Sequence, residues 1–361
     1  MPLKLAFFGS SLLSARWNGA VTYYRGILRA LNARGHRIVF YEPNAYGRQE
    51  HRDVEKLEFA RVVVYEGEGG ARACLEEARN ADLIVKASGV GAHDALLEEG
   101  VIDARSSRSS VAFWDVDAPA TLERVEHELG DPFRSLIPRF DYVFTYGGGE
   151  RVRSRYLALG ARVCVPIYNA VDPEIHFPGN TNPKFSGDLG FLANRLPDRE
   201  RRCDDFFFSV ARENPNFRFV LGGSGWDDKP RSSNVHYVGH VYTHEHNEFN
   251  SSSRLLLNVN RDSMATVGFS PATRIFEAAG AGACIVSDAW EGIESFFEPE
   301  REILIATDGD QVARYVRDQS SASLARIGAA ARRRALADHS YAQRAVEVEK
   351  ALTGRGLELA S

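Results

Sequence analysis

A chain of 361 residues, 44% hydrophobic and 26% charged, is too long for one ordinary domain and suits two of roughly 170 residues, each with its own core. A net charge of −5 and an isoelectric point near 6.1 give no polyanion-binding surface, so nucleic acid is excluded as an expected partner. The first apolar run ends at Gly9 and no later stretch approaches the roughly 18 apolar residues of a membrane span, so a cytoplasmic protein is expected, with no integral membrane segment and at most peripheral membrane contact.

Short apolar runs alternate with segments of helical period. A strand over 3–9, a helix over 19–34 and a strand over 36–41 make a βαβ opening. Further strands are expected at 61–65, 83–87, 111–114, 142–145 and 162–165, with helices between most of them. Such alternation argues for a parallel sheet covered on both faces, which binds ligands at the carboxyl ends of its strands. From 171 to 187 the pattern lapses into Asp172-Pro173, Phe177-Pro178-Gly179-Asn180 and Asn182-Pro183, the turn formers of a linker. The alternation restarts with a strand over 188–192, a helix over 198–214, and strands over 217–221, 235–238 and 255–259. A helix over 271–280, a strand over 284–287 and helices over 309–318, 321–337 and 341–352 complete the chain. The expected organisation is an N-terminal domain over 1–170, the linker, a C-terminal domain over 188–340, and a last helix over 341–361 that returns to the first domain. Two such domains are compatible with GT-B transferases, bilobal binding proteins, and some epimerases or dehydrogenases.

The run Ser270-Pro271-Ala272-Thr273-Arg274-Ile275-Phe276-Glu277 has the grammar of a helix start aimed at an anion. Ser270 suits an N-cap and Pro271 the first helical position, leaving unpaired N–H groups where a diphosphate can sit. Arg274 and Glu277, three apart, share a helix face and could offer a guanidinium to phosphate and a carboxylate to ribose hydroxyls. A cap with an internal ion pair explains the same residues equally well. Gly223 and Gly225, in the Gly222-Gly223-Ser224-Gly225 turn, would let backbone approach a phosphate or sugar. Arg195 and Arg199, between the first strand and helix of this half, could neutralise a diphosphate.

Taken together, Asn258-Val259-Asn260-Arg261-Asp262-Ser263-Met264, Gly268-Phe269-Ser270-Pro271 through Glu277-Ala278-Ala279, Ser287-Asp288, and Gly292-Ile293 with Phe296-Phe297-Glu298-Pro299 resemble the CgeB-type glycosyltransferases. Trp17-Asn18-Gly19, Tyr24-Arg25, Arg34-Gly35-His36 and Phe113-Trp114-Asp115-Val116-Asp117-Ala118-Pro119 extend the resemblance over essentially the whole chain. It implies an α/β chain of the GT-B fold, two Rossmann-like domains facing each other across a cleft. The implied activity moves a sugar from a nucleoside diphosphate sugar, a UDP-sugar favoured, to a hydroxyl acceptor. A sugar-nucleotide epimerase of the same architecture and a non-catalytic sugar-nucleotide binding protein stay open as alternatives.

By the same resemblance Glu277 corresponds to the ribose-binding carboxylate, Arg274 lies near the diphosphate, His240 marks the base pocket, and Arg261 joins the donor set. Related enzymes place a second glutamate eight residues before Glu277, where this chain has Phe269, so the stereochemical course is not implied. No cofactor is expected, the sugar nucleotide being a substrate.

In the first half, Asn18 and Gly19 follow the first strand and could present backbone donors to phosphate or acceptor. Asp115-Val116-Asp117 resembles a metal-binding DxD, but that chemistry belongs to GT-A chains, which lack a second α/β domain. Asp117 is therefore expected to bind the acceptor or act as a general base, with an N-cap as the ordinary explanation. His93 is a weaker candidate. Cys74, Cys164, Cys203 and Cys284 stand singly, and Thr243-His244-Glu245-His246 places histidines two apart, so no metal is expected.

Overall fold

The computed structural model describes residues 2–15 and 19–354. Residues 1–168 and the chain from Tyr341 form one compact unit, and Asn169–Ser340 form the other.

The first unit carries a seven-stranded sheet of β1 (Lys4–Phe8), β2 (Arg37–Pro43), β3 (Arg61–Tyr65), β4 (Leu83–Ala87), β5 (Ser110–Asp115), β6 (Tyr142–Thr145) and β7 (Cys164–Pro166). Their order is β3-β2-β1-β4-β5-β6-β7 and every pairing is parallel. The order reverses between β1 and β4, so the loops leaving their carboxyl ends open a crevice there. Helices cover both faces, which is why β1, β4 and β5 are buried over nearly their whole length rather than at alternate residues, Lys86 and Asp115 included. The core includes Phe7 stacked on Phe40, and Trp114, whose indole N–H donates to the Tyr23 hydroxyl at 2.9 Å. Tyr23 donates in turn to the Ile167 carbonyl at 2.7 Å. The last helix, Tyr341–Leu352, belongs to this unit. It packs on the helix Val21–Ala33 where Gly26 leaves room for the Tyr341 ring; a Cβ at Gly26 would come within 2.2 Å of that ring.

The second unit holds six parallel strands, β8 (Gly187–Leu192), β9 (Phe219–Gly222), β10 (Val235–Gly239), β11 (Ser253–Asn258), β12 (Ile285–Asp288) and β13 (Leu304–Ala306), in the order β10-β9-β8-β11-β12-β13. Its reversal lies between β8 and β11. The helices His246–Ser252 and Asp262–Val267 were not expected, and two further elements differ in kind. β13 is an edge strand of three residues, too short to show a period. The helix expected over 198–214 is broken into a 3-10 turn (Pro197–Arg199), a helix (Glu200–Cys203), a π turn (Asp204–Ser209) and a helix (Val210–Glu213). The wider π turn sends Phe206, Phe207 and Phe208, three consecutive rings, all into the core, which a regular helical period cannot do. No helix among the described residues is long and apolar enough to cross a membrane.

Candidate functional site

The carboxyl ends of β8, β9, β11 and β12 gather most of the expected residues of the second unit. After β8, Arg199 folds back so that Nη1 donates to the Val259 carbonyl at 3.4 Å and Nη2 to the Asn194 carbonyl at 2.5 Å. Its Nε is buried without a partner, and no carboxylate forms an ion pair with it among the described residues. Burial pushes the guanidinium pKa down, and the charges of Arg261 and Arg274 push it further. Three cations therefore act on one another here, and Arg199 has no ion pair of its own, the Asp288 charge reaching it only from a distance. Arg261 is held by Asp198 at 2.8 Å, which also accepts from the Ser263 hydroxyl at 2.8 Å. Arg195, by contrast, is committed to Glu200 and Asp228.

The helix before which an anion was expected begins at Thr273, with Ala272 at the N-cap and no side-chain cap. Ser270 is not the cap. It is buried, and its hydroxyl donates to the Gly268 carbonyl at 2.8 Å. The displacement has a tertiary cause: Phe269 takes the left-handed region at φ 44°, its N–H donates to Glu291 at 2.6 Å, and Gly292 lies flat under its ring. Asn260 Nδ2 then holds the Ser270 carbonyl at 3.2 Å and Asn169 Nδ2 the Pro271 carbonyl at 3.0 Å. Asn260 is fixed by Asp288, whose two oxygens accept its N–H at 3.1 Å each, and Asp288 is paired with Arg202. Burial pushes the Asp288 carboxyl up. Its polarity at the end of an apolar strand was the only sequence signal for this support.

Within the helix, Arg274 Nη1 and Glu277 Oε2 are 2.8 Å apart, so the internal ion pair does exist. It lacks hydrogen-bond alignment, however: both atoms are buried without a hydrogen-bond partner. Two histidines that the sequence reading did not assign face the same carboxylate, His176 at 3.8 Å and His246 at 4.0 Å. His176 arrives because Gly280 has no side chain; a Cβ there would lie 2.8 Å from the His176 carbonyl oxygen. Both ring nitrogens of His176 and Nδ1 of His246 are also buried without hydrogen-bond partners. So many orphaned polar atoms in one place mark a cluster that the folded chain leaves open to an added polar group. Burial would raise the Glu277 carboxyl, but Arg274 and then the two histidines outweigh it and hold it at about 2.

Burial, then the Arg274 charge, push His246 from 6.5 down to about 4. The unfolded chain therefore takes up this proton at higher pH than the folded one. Stability should fall as pH drops from 6.5 towards 4, by on the order of 3 kcal/mol at full extent. Urea denaturation at pH 7 and pH 4.5 reads the slope, and His246→Asn should reduce it; an unchanged slope contradicts the assignment.

The glycine turn packs tightly against the loop after β8. Gly223 sits at φ +118° with its Cβ position 2.1 Å from the Ala193 carbonyl, its N–H donates to Gly239 at 2.8 Å, and Ser224 N–H donates to Asn194 Oδ1 at 2.9 Å. Gly225, at φ +87°, abuts Arg195. His240 is exposed at the end of β10, its Nδ1 3.3 Å from the Ser224 hydroxyl and its ring edge-on to Tyr242.

In the first unit Asp115 is buried, with Oδ2 accepting from the Tyr156 hydroxyl at 2.5 Å and Oδ1 from Thr121 at 3.2 Å and the Asp117 N–H at 3.0 Å. Both oxygens are thus used by the fold. Asp117 occupies the N-cap position of the helix Ala118–His127, yet its side chain accepts no cap hydrogen bond. Gly19 lies in an exposed turn with no atom within 4 Å of its Cβ position, and Asn18 lies outside the described residues. His93 takes the left-handed region at the start of the helix Asp94–Asp103. Among the described residues no cluster of three or more His, Cys, Asp or Glu is arranged to hold a metal.

No curated protein matches the sequence. Residues 199–350 match the family model described as Glycosyl transferase-like. The structure is similar to Anabaena HepE in complex with UDP-glucose, with a TM-score of 0.67 at 14% identity, over 98% of this chain and 100% of that one. It is similar to sucrose-phosphate synthase from Thermosynechococcus elongatus, with a TM-score of 0.68 at 13% identity, over 97% and 98% of the two chains. An alpha-glucosyltransferase solved with UDP and a 13-mer DNA gives 0.70 at 10% identity, over 98% and 100%. With two parallel α/β sheets and these likenesses along nearly its full length, the chain has the GT-B glycosyltransferase fold.

Proposed function

We propose that this protein is a CgeB-type glycosyltransferase that moves a sugar from a nucleoside diphosphate sugar to a hydroxyl acceptor, with a UDP-sugar as the favoured donor. The observation that carries this reading is Arg199, a guanidinium that no carboxylate pairs with, at the carboxyl ends of β8 and β11 and under the charges of Arg261 and Arg274. A diphosphate supplies the missing negative charge. As the sugar–oxygen bond breaks, charge grows on the leaving diphosphate, and donors already held in place stabilise it without reorganising. The first N–H groups of the helix Thr273–Gly280 add their dipole to the same end. Glu277, ionised and with no hydrogen bond to Oε2, suits the paired hydroxyls of a ribose.

The similar structures solved with UDP-glucose and UDP support UDP as the nucleotide. In this reading the arginines take the charge-neutralising role, so no metal is required. The acceptor binds the first unit, where Asp117 is the group for orienting its hydroxyl or taking its proton. Phe269 in place of the first glutamate leaves retention and inversion equally compatible. Incubation with UDP-, GDP- and dTDP-sugars, followed by mass spectrometry, tests the reading. Release of nucleoside diphosphate with a matching glycosylated product is expected. An isomerised sugar nucleotide would point to an epimerase instead, and binding without turnover under every acceptor would point to a binding protein.

A further inference from the structure

The first unit holds a second arginine without an ion pair, at the crevice where its sheet order reverses. Arg48 follows β2 in sequence and is 6% exposed. Its Nη1 donates to the Ser10 carbonyl at 3.1 Å, in the loop after β1, and to the Val90 carbonyl at 3.4 Å, in the loop after β4. Its Nε is buried with no partner. Among the described residues no carboxylate forms an ion pair with it; the Glu42 charge acts on it only from a distance, and that carboxylate's hydrogen bonds go to neutral donors. Glu42 accepts from Ser11 Oγ at 3.0 Å, Leu12 N–H at 2.6 Å and Gln49 Nε2 at 2.7 Å. Asp94 pairs with Lys86 Nζ at 2.5 Å and accepts the Gly91 N–H at 2.8 Å. Burial pushes the Arg48 guanidinium pKa down, and Tyr46 and the Glu42 charge offset this only in part.

Tyr46 is a second, independent observation. It takes the left-handed region at φ 58°, a conformation unfavourable for a ring-bearing residue, and its hydroxyl donates to the Gly91 carbonyl. Its ring lies over the Arg48 guanidinium, with the cation 5.1 Å from the ring centre, and the residue is 58% exposed. Strained backbone therefore holds an exposed aromatic face beside a buried cation that no ion pair holds and whose Nε has no hydrogen-bond partner. An aromatic face stacks on the apolar side of a sugar ring, and a guanidinium takes a carboxylate or phosphate through paired N–H donors.

We infer that Arg48 and Tyr46 form an anion-binding acceptor subsite, so that the acceptor is a sugar bearing a phosphate or carboxylate group. Naming it the acceptor rests on the proposed glycosyl transfer; the anion site itself does not.

The test uses the whole protein saturated with UDP, so that the donor arginines are occupied. Inorganic phosphate, glucose 6-phosphate, glucuronate and glucose are titrated by calorimetry. At least one anion should bind about tenfold or more tighter than glucose, and Arg48→Gln should abolish that preference while UDP affinity stays within about twofold. Arg48→Lys, which keeps the charge, should retain part of it. The phosphate and glucuronate arms separate a phosphorylated acceptor from a uronic one. If Arg48→Gln shows no melting transition, Tyr46→Ala, at an exposed position, replaces it and should weaken glucose 6-phosphate or glucuronate at least threefold. Equal binding of glucose and every anion, or a preference that survives Arg48→Gln, overturns the inference. If the wild-type protein does not bind UDP, the donor reading fails on its own, and the same titration in an Arg199→Ala background still decides Arg48.

Discussion

Arg199→Ala should abolish most nucleoside diphosphate affinity while leaving the melting temperature unchanged or slightly higher. The side chain is bound only to the main-chain carbonyls of Asn194 and Val259, so its removal breaks no ion pair and relieves a desolvated charge. In the complex it would make charge-assisted hydrogen bonds to diphosphate, whose loss costs about 3 kcal/mol, or roughly a hundredfold in affinity. Comparing UDP with UMP localises the effect. The wild-type protein should prefer UDP strongly, and the variant should bind the two alike. A preference for UDP that persists in Arg199→Ala would refute the diphosphate role.

Glu277→Ala should differ in kind, because it damages both binding and stability. The carboxylate is buried beside Arg274, whose side chain keeps 22% exposure and can partly reach water when its partner is gone. A stability loss of about 2 kcal/mol is expected, below the 3–5 kcal/mol seen for fully buried pairs. The folded carboxyl titrates at about 2 against an ordinary 4.5, so its stabilising contribution is present above pH 4.5 and is lost as pH falls towards 2. For binding, the sharper measurement compares UDP with 2′-deoxy-UDP. The wild-type protein should discriminate by about tenfold or more through the ribose hydroxyl, and Glu277→Ala should erase the difference. Discrimination that survives the substitution would assign the ribose to another residue.

How far the sequence reached depends on the kind of interaction. Strands such as β1, β4 and β8 were legible because a strand buried on both faces is apolar over most of its length, even where it carries Lys86 or Asp188. The pairing of Arg274 with Glu277 was legible because helical geometry brings residues three apart together. The helix start at Ser270 was misplaced because local capping rules cannot anticipate Asn169, about a hundred positions away, holding the Pro271 carbonyl. The break in the helix over 198–214 was missed for a similar reason. Three adjacent phenylalanines violate the helical period, and only the available core space decides that a π turn resolves the conflict.

Hydrophobic period and short-range spacing are properties of neighbouring residues, so they reach two α/β halves and the pairing of Arg274 with Glu277 without any tertiary information. Only the tertiary structure decided which charges are compensated. Arginines are common in this chain, and nothing local distinguishes Arg195, neutralised by Glu200 and Asp228, from Arg199, which has no carboxylate. Nor does anything local reveal Arg48, or bring His176 and His246 to Glu277. Whether a buried cation has a counter-charge depends on every segment packed around it, and that is settled when the chain folds.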